Sequence, residues 1–236
     1  GTAYSALGEP PFGAIMSIGG LDAHTGAVTK RVRRYNIGNE LFSDAPPLIE
    51  FARRDHTATR LAEPDDQFYL IAGGKSGDDQ VLGALTLYNA FAGTEFVLPI
   101  ALEVPRYSHS ATLLEDGKVL FCGGLDSSGA TLDSCEIWMQ PDDVENLDTY
   151  DTSTISTLSA RMHTTRVHHS ATLLENGDVL LAEGGNIELT STDPADIYSM
   201  TLNNIIATGF MVKKRRKHAA VALGGGMVLI AGGEVY

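Results

Sequence analysis

HSATLLEDGKVLFCGG, residues 109–124, recurs 60 residues later as HSATLLENGDVLLAEGG at 169–185. A chain that copies itself in this way is an array of one supersecondary unit, because a single unit cannot bury its apolar face and must stack on its neighbours. Weaker copies stand on both sides: HTATRLAEPDDQFYLIAGG at 56–74, HAAVALGGGMVLIAGG at 218–233 and a worn SALGEPPFGAIMSIGG at 5–20. Their Gly-Gly pairs begin at Gly19, Gly73, Gly123, Gly184 and Gly232, giving spacings of 54, 50, 61 and 48 residues.

Each unit has an internal order. An alternating run such as Ala111–Leu114 predicts a first strand, and Asp116-Gly117 or Asn176-Gly177 predicts a two-residue hairpin turn. A Val/Leu-rich second strand follows, Lys118–Cys122 or Asp178–Glu183, ending at glycines whose lack of Cβ suits positive φ and close backbone approach. A third strand ends in an aromatic: Arg34-Tyr35, Leu87-Tyr88, Ile137-Trp138 and Ile197-Tyr198. The fourth is marked best by Thr94–Val97.

This pattern resembles the kelch family of β-propellers, in its bacterial form with an R-x-x-H-S-A-T-L-L-x-D-G-x-V-L-x-x-G-G core, and it also resembles the propeller repeats of galactose-oxidase-like proteins. The resemblance implies an all-β fold, one propeller domain over 1–236 with four-stranded blades at about 4–52, 53–105, 106–165, 166–213 and a truncated 214–236. It departs from the family in its fourth strands, which lack the usual Trp; the one Trp, Trp138, holds the third-strand aromatic position. About four and a half blades are expected, as part of a six- or seven-bladed whole completed by further blades of the same protein or by another chain, since open sheet edges invite association.

Composition narrows the function. A net charge of −13 argues against a nucleic-acid partner, and no run of 18 apolar residues predicts membrane insertion. Lys213-Lys214-Arg215-Arg216-Lys217 is the local exception; it is either an anion-contacting motif or a solvated loop. Cys122 and Cys135 end and begin neighbouring strands, so they are either a disulfide, which belongs to oxidising compartments, or two small buried hydrophobes.

The His heading each first strand, His56, His109, His169 and His218, with His163 and His168 nearby, admits a metal reading. An ion's bonds of about 2.0–2.2 Å are too short to join equivalent places on separate blades. An inter-blade hydrogen bond is the alternative. Copper radical oxidases of the galactose oxidase type carry a Tyr directly before this His, whereas here Ser108 and His168 occupy that place, and no nucleophile elbow, phosphate loop or zinc motif occurs. The acidic pairs Asp65-Asp66, Asp78-Asp79 and Asp142-Asp143 read as solvating turns. No metal, cofactor or catalytic residue is expected.

In kelch adaptors the loops before the first strand and after the Gly-Gly open on one face, and arginines in the entering loop line the mouth. The resemblance places Arg53, Arg106, Arg166 and Arg216 (or Arg215) there, with Lys75, Ser76, Asp126, Ser127, Ser128 and Asn186 in the following loops. Arg forks suit carboxylate, phosphate or sugar-acid groups; the alternative is that these arginines bond carbonyls inside the fold. The expected function is a non-catalytic binding or scaffolding propeller for a protein partner or glycan, secreted or at a cell surface. The alternatives are a kelch-propeller enzyme, of the sugar oxidase or sialic-acid isomerising type, with its catalytic residues outside this chain, and a structural unit of an extracellular assembly.

Overall fold

The structure is a computed structural model. It describes residues 14–36, 40–45, 50–62, 67–140, 155–185, 194–210 and 215–235. Among these there is no helix, and the strands fall into antiparallel sheets, the three- and four-stranded ones in consecutive chain order. Two compact units hold them: Gly1–Tyr107 with Gln140–Thr154, and Ser108–Met139 with Ile155–Tyr236.

The first unit contains the sheet β1 (Ala14–Ile18), β2 (Val32–Asn36) and β3 (Leu41–Ala45), and a four-stranded sheet of β4 (Thr57–Arg60), β5 (Phe68–Ala72), β6 (Ala84–Asn89) and β7 (Thr94–Ala101). The first strand expected at Tyr4–Leu7 lies outside the described residues. β5 is buried along its whole length because both of its edges are paired and both faces covered, so its run Phe-Tyr-Leu-Ile-Ala needs no polar alternation. Met16, Ile18, Val32, Tyr69, Ile71 and Tyr88 form this unit's core.

The second unit contains β8 (Ser110–Leu113), β9 (Val119–Cys122), β10 (Ser134–Trp138) and β11 (Ile155–Arg161), then β12 (Ser170–Leu173), β13 (Val179–Ala182), β14 (Pro194–Ser199) and β15 (Asn204–Phe210). β16 (Arg215–Arg216) pairs with β19 (Glu234–Val235), and β17 (Ala219–Gly224) with β18 (Met227–Ala231). First strands of successive sheets stand side by side, β12 touching both β8 and β17. Leu120, Leu158, Val179, Leu181 and Tyr198 fill the core between them.

Two local readings change. The hairpin turns have three residues rather than two: Leu114 N–H bonds Lys118 O at 2.8 Å and Gly117 N–H bonds Leu114 O at 3.1 Å, with Gly117 at φ 82°. That is a type I turn closed by a left-handed glycine, and Leu174–Asp178 repeats it. In the fourth repeat the positive-φ pair is Glu183-Gly184 (58° and 79°), not Gly184-Gly185. Cys122 and Cys135 face each other on β9 and β10 and are joined as a disulfide, so the bridged alternative is the one the fold adopts.

Candidate functional site

The repeated residues serve the framework. In each of the four repeats from 53 onward the residue before the His has positive φ: Asp55, Ser108, His168 and Lys217 at 54–56°. This kink lets the carbonyl three residues before the His meet the preceding sheet's glycine: Gly20 N–H bonds Arg53 O, Gly74 N–H bonds Arg106 O, and Gly124 N–H bonds Arg166 O, at 2.7–2.9 Å. At Gly123 a Cβ would lie 2.5 Å from Arg166 O and 2.8 Å from the His169 ring, which is why glycine recurs.

The repeat histidines take the inter-blade alternative where their partners are resolved. His169 Nε2 pairs with Ser110 Oγ and His218 Nε2 with Ser170 Oγ, each at 2.8 Å. Burial, reinforced by the Arg53 charge and offset in part by the Ile18 backbone, pushes the His56 pKa down to about 3. His56 is therefore neutral at physiological pH.

The repeat arginines do not line a mouth, because the fold buries them. Arg53 and Arg106 are 0 % exposed and Arg166 is 1 % exposed. Arg53 Nη1 reaches Gly73 O and Ala84 O, both at 3.3 Å, and its Nη2 donates to Thr86 Oγ1 at 3.2 Å. Arg106 Nε donates to Val104 O at 3.2 Å. Arg166 donates to Asp196 from Nε (3.2 Å) and Nη2 (2.8 Å), to Glu183 O from Nη1 (2.9 Å), and to Pro194 O. The carbonyl-bonding alternative is thus the observed one. In the last repeat the matching residue is Arg215, while Arg216 matches Arg54, Tyr107 and Val167, since Arg216 pairs with Glu234 as Arg54 pairs with Lys75.

Beside this framework lie positions whose identity changes from blade to blade. In the first unit Arg54 holds Asp55 (2.7 Å) and Asp79 (2.5 Å), and Lys75 Nζ lies 3.3 Å from Asp79 and 4.8 Å above the Tyr107 ring. Hydrogen bonds from Lys75 and then Arg54 hold the exposed Asp79 carboxyl below its ordinary range. Two cations meet two carboxylates there, so Lys75 contributes to a compensated network rather than to a cationic mouth. Ser76 is spent inside its own loop on Asp78 Oδ1 (2.5 Å) and Gln80 O.

In the second unit Asp126 accepts from Ser128 N (2.8 Å), Ser128 Oγ (2.7 Å) and Ala130 N (3.0 Å), which lowers its pKa and fixes the loop that presents the exposed Ser127. Arg216 and Lys217 share Glu234 at 2.8 and 3.1 Å, and Arg215 Nη1 bonds Gly232 O, which accounts for the three described residues of the basic pentamer. His163, half exposed, rests its Nδ1 2.6 Å from the buried Asp196 that Arg166 holds. Lys213, Lys214, Asn186 and the acidic pairs at 65–66 and 142–143 lie outside the described residues. Among the described residues no group of three or more His, Cys, Asp or Glu gathers as a metal site.

No protein-family model matches the chain, and no curated protein does. Its architecture does match solved structures. The one titled "Structure of YjhT" aligns with a TM-score of 0.75 over 99 % of this chain and 76 % of that chain, at 12 % identity. The chain is built of β-propeller blades. At that identity the likeness speaks for the fold alone. Sequence reasoning had singled out the repeated arginines and, with them, Arg216; the matching positions Arg54, Tyr107 and Val167, one step further along, escaped it, although their changing identity inside a repeating frame was a readable signal.

Proposed function

We propose that this chain is a kelch-type binding or scaffolding propeller that recognises a protein partner or a glycan through the loop ends beside its repeated core. The observation that carries this reading is the division of labour at the loop ends. The repeated Arg53, Arg106 and Arg166 are buried and bonded inside the fold, whereas the next position along is not held constant, reading Arg54, Tyr107, a buried Val167 and Arg216, with Lys75 across from Arg54 and Glu234 across from Arg216. A surface that varies on a constant frame is how repeat proteins present a specific contact area. The Asp126 turn supports it further by holding Ser127 in a fixed, solvent-facing loop.

The kelch assignment is supported by the R-x-x-H-S-A-T-L-L core and by the glycine and arginine bonding that gives that core its purpose. A secreted or cell-surface location is supported by the Cys122–Cys135 bridge.

The test is direct titration of the purified chain against immobilised neutral and acidic glycans and against proteins cross-linked to it in the cells that make it. Separate variants, Arg54→Ala with Lys75→Ala in the first unit and Arg216→Ala in the second, are each expected to weaken the contact while circular dichroism shows the fold retained. Binding that survives both variants would sink the reading, and so would binding lost only together with the fold.

A further inference from the structure

Lys75 follows the Gly73-Gly74 pair, and its backbone exchanges both hydrogen bonds with Arg54, at 2.8 and 2.9 Å. The fold therefore sets two cations directly opposite each other, an arrangement that like charges disfavour. The corresponding pair in the last repeat is Arg216 with Glu234, a cation facing an acid. In the first and third repeats the place of Lys75 is held by Leu21 and Leu125. A second cation at this place belongs to the second repeat, and it needs a reason.

What answers the two charges is a carboxylate carried on a loop tip. The chain reverses through Ser76–Gln80, closed by Ser76 N–H to Gln80 O at 2.9 Å, and Asp79 stands at the turn with φ 62°. Its Oδ1 bridges both cations, 2.5 Å from Arg54 Nη2 and 3.3 Å from Lys75 Nζ. Exposure separates the partners: the side chains of Arg54 and Lys75 are 26 % and 19 % exposed, that of Asp79 is 69 % exposed. Arg54 is further held by Asp55 at 2.7 Å, and Lys75 lies 4.8 Å from the centre of the Tyr107 ring. The frame thus fixes the cations, while the acid reaches them from the solvent side. An ion pair with so exposed a member adds little stability, so exchanging Asp79 for another carboxylate costs the fold little.

We propose that Arg54, Lys75 and Tyr107 form a receiving site for an aspartyl or glutamyl side chain of an acidic polypeptide segment, and that Asp79 fills this site in the free protein as a built-in competitor. The inference rests on the reading of the loop ends as the contact surface, and it gives that surface a ligand class and a gate. Asp79 is itself a carboxylate presented by a peptide turn, so the site is already fitted to an acid carried on a polypeptide. An incoming carboxylate takes over the charge-assisted bonds from Arg54 Nη2 and Lys75 Nζ, and Asp79 turns out into water. On a chain of net charge −13 an acidic segment is disfavoured elsewhere by the overall field, which confines its contact to paired cations such as these.

The probe is a labelled twelve-residue peptide of alternating Gly and Asp, with a counterpart carrying Asn for every Asp, titrated with the 236-residue chain at low salt. The Asp peptide is expected to bind the more tightly. Asp79→Asn, which keeps a residue tolerant of positive φ at the turn, should raise that affinity about fivefold, the factor by which an exposed pair of ordinary strength keeps the cations occupied. Asp78→Asn removes the same charge from the neighbouring residue, which accepts from Ser76 Oγ instead, and should change the affinity less than about twofold. Arg54→Ala with Lys75→Ala should abolish the preference for the Asp peptide. Equal affinity for the two peptides overturns the proposal, as does an Asp79→Asn chain that gains no more than the Asp78→Asn chain. A uronic-acid hexamer that binds where the Asp peptide does not would make a glycan the occupant and overturns it too. When one of these results comes while Arg54→Ala with Lys75→Ala still weakens the contact found for the unaltered chain, this proposal alone falls; the wider reading falls only when that contact survives its own variants.

Discussion

Removing the Arg166 side chain should cost the second unit more stability than any surface change. In Arg166→Ala the carboxylate of Asp196, 0 % exposed, loses two charged donors and stays buried with only His163 beside it. Stranding one member of a buried ion pair costs about 3–5 kcal/mol, and at roughly 2–4 °C per kcal/mol for a protein of this size the melting temperature should fall by about 6–20 °C. The control is Arg161→Ala, whose pair with Asp133 at 2.8 Å is 57 % and 39 % exposed on its two sides and should cost about 0–1 kcal/mol. Replacing both partners, Arg166→Met with Asp196→Leu, removes the stranded charge while still orphaning the carbonyls of Glu183 and Pro194. The double variant should therefore recover at least half of what the single one loses. Thermal and urea unfolding followed by circular dichroism at pH 7 measures all three. An Arg166→Ala chain that melts within about 2 °C of the unaltered protein would refute the structural role, and a double variant weaker than the single would refute the stranded-charge mechanism.

His56 should make the fold acid-sensitive. Its folded pKa of about 3 lies below its unfolded 6.5, so the unfolded chain binds a proton that the folded one refuses, and stability should fall by about 1.4 kcal/mol per pH unit from pH 6.5 down to about 3. A His56→Gln chain should lack that part of the slope in urea titrations, and identical slopes would contradict the assignment. Gly123→Ala, whose new Cβ would meet backbone at 2.5 Å with φ 63°, should destabilise strongly, while Gly129→Ala, with φ 81° but nothing within 4 Å, should cost only about 1–2 kcal/mol; equal losses on melting would count against the close approach. Reducing the Cys122–Cys135 bridge, 13 residues apart in sequence, should lower stability by about 3 kcal/mol and add two daltons to the intact mass, and an unchanged mass would show free thiols.

The blade order was legible because repetition multiplies a weak signal. One alternating run is ambiguous between a buried strand and part of a helix, but four runs ending at the same glycines, two of them with the same turn, are not. The details that misled are those where different backbones share the same letters. Asp-Gly serves both a two-residue and a three-residue hairpin, and only the pairing of Leu114 with Lys118 separates them. Gly184-Gly185 looks like the repeat's glycine pair, yet Glu183 takes the first position. A side chain at Gly19 or Gly123 would strike a neighbouring carbonyl, whereas Glu183 stands at φ 58° with its carboxylate accepting from the Arg215 amide.

The arginines show why the framework was easier to read than the site. An Arg three residues before a structural His is the same letter whether it points into a mouth or folds back under its own sheet. What separates the cases lies some 30 residues downstream, in the third strand. Asp196 interrupts the apolar run of β14, and Glu136 interrupts that of β10, both at 0 % exposure. An acid in the middle of a buried strand requires a cation, because an unpaired carboxylate there costs several kcal/mol. Read together, the acid and the Arg at matching places in successive repeats predict a buried pair and remove the Arg from the list of ligand contacts. The most recognisable motif in the chain therefore marks its framework.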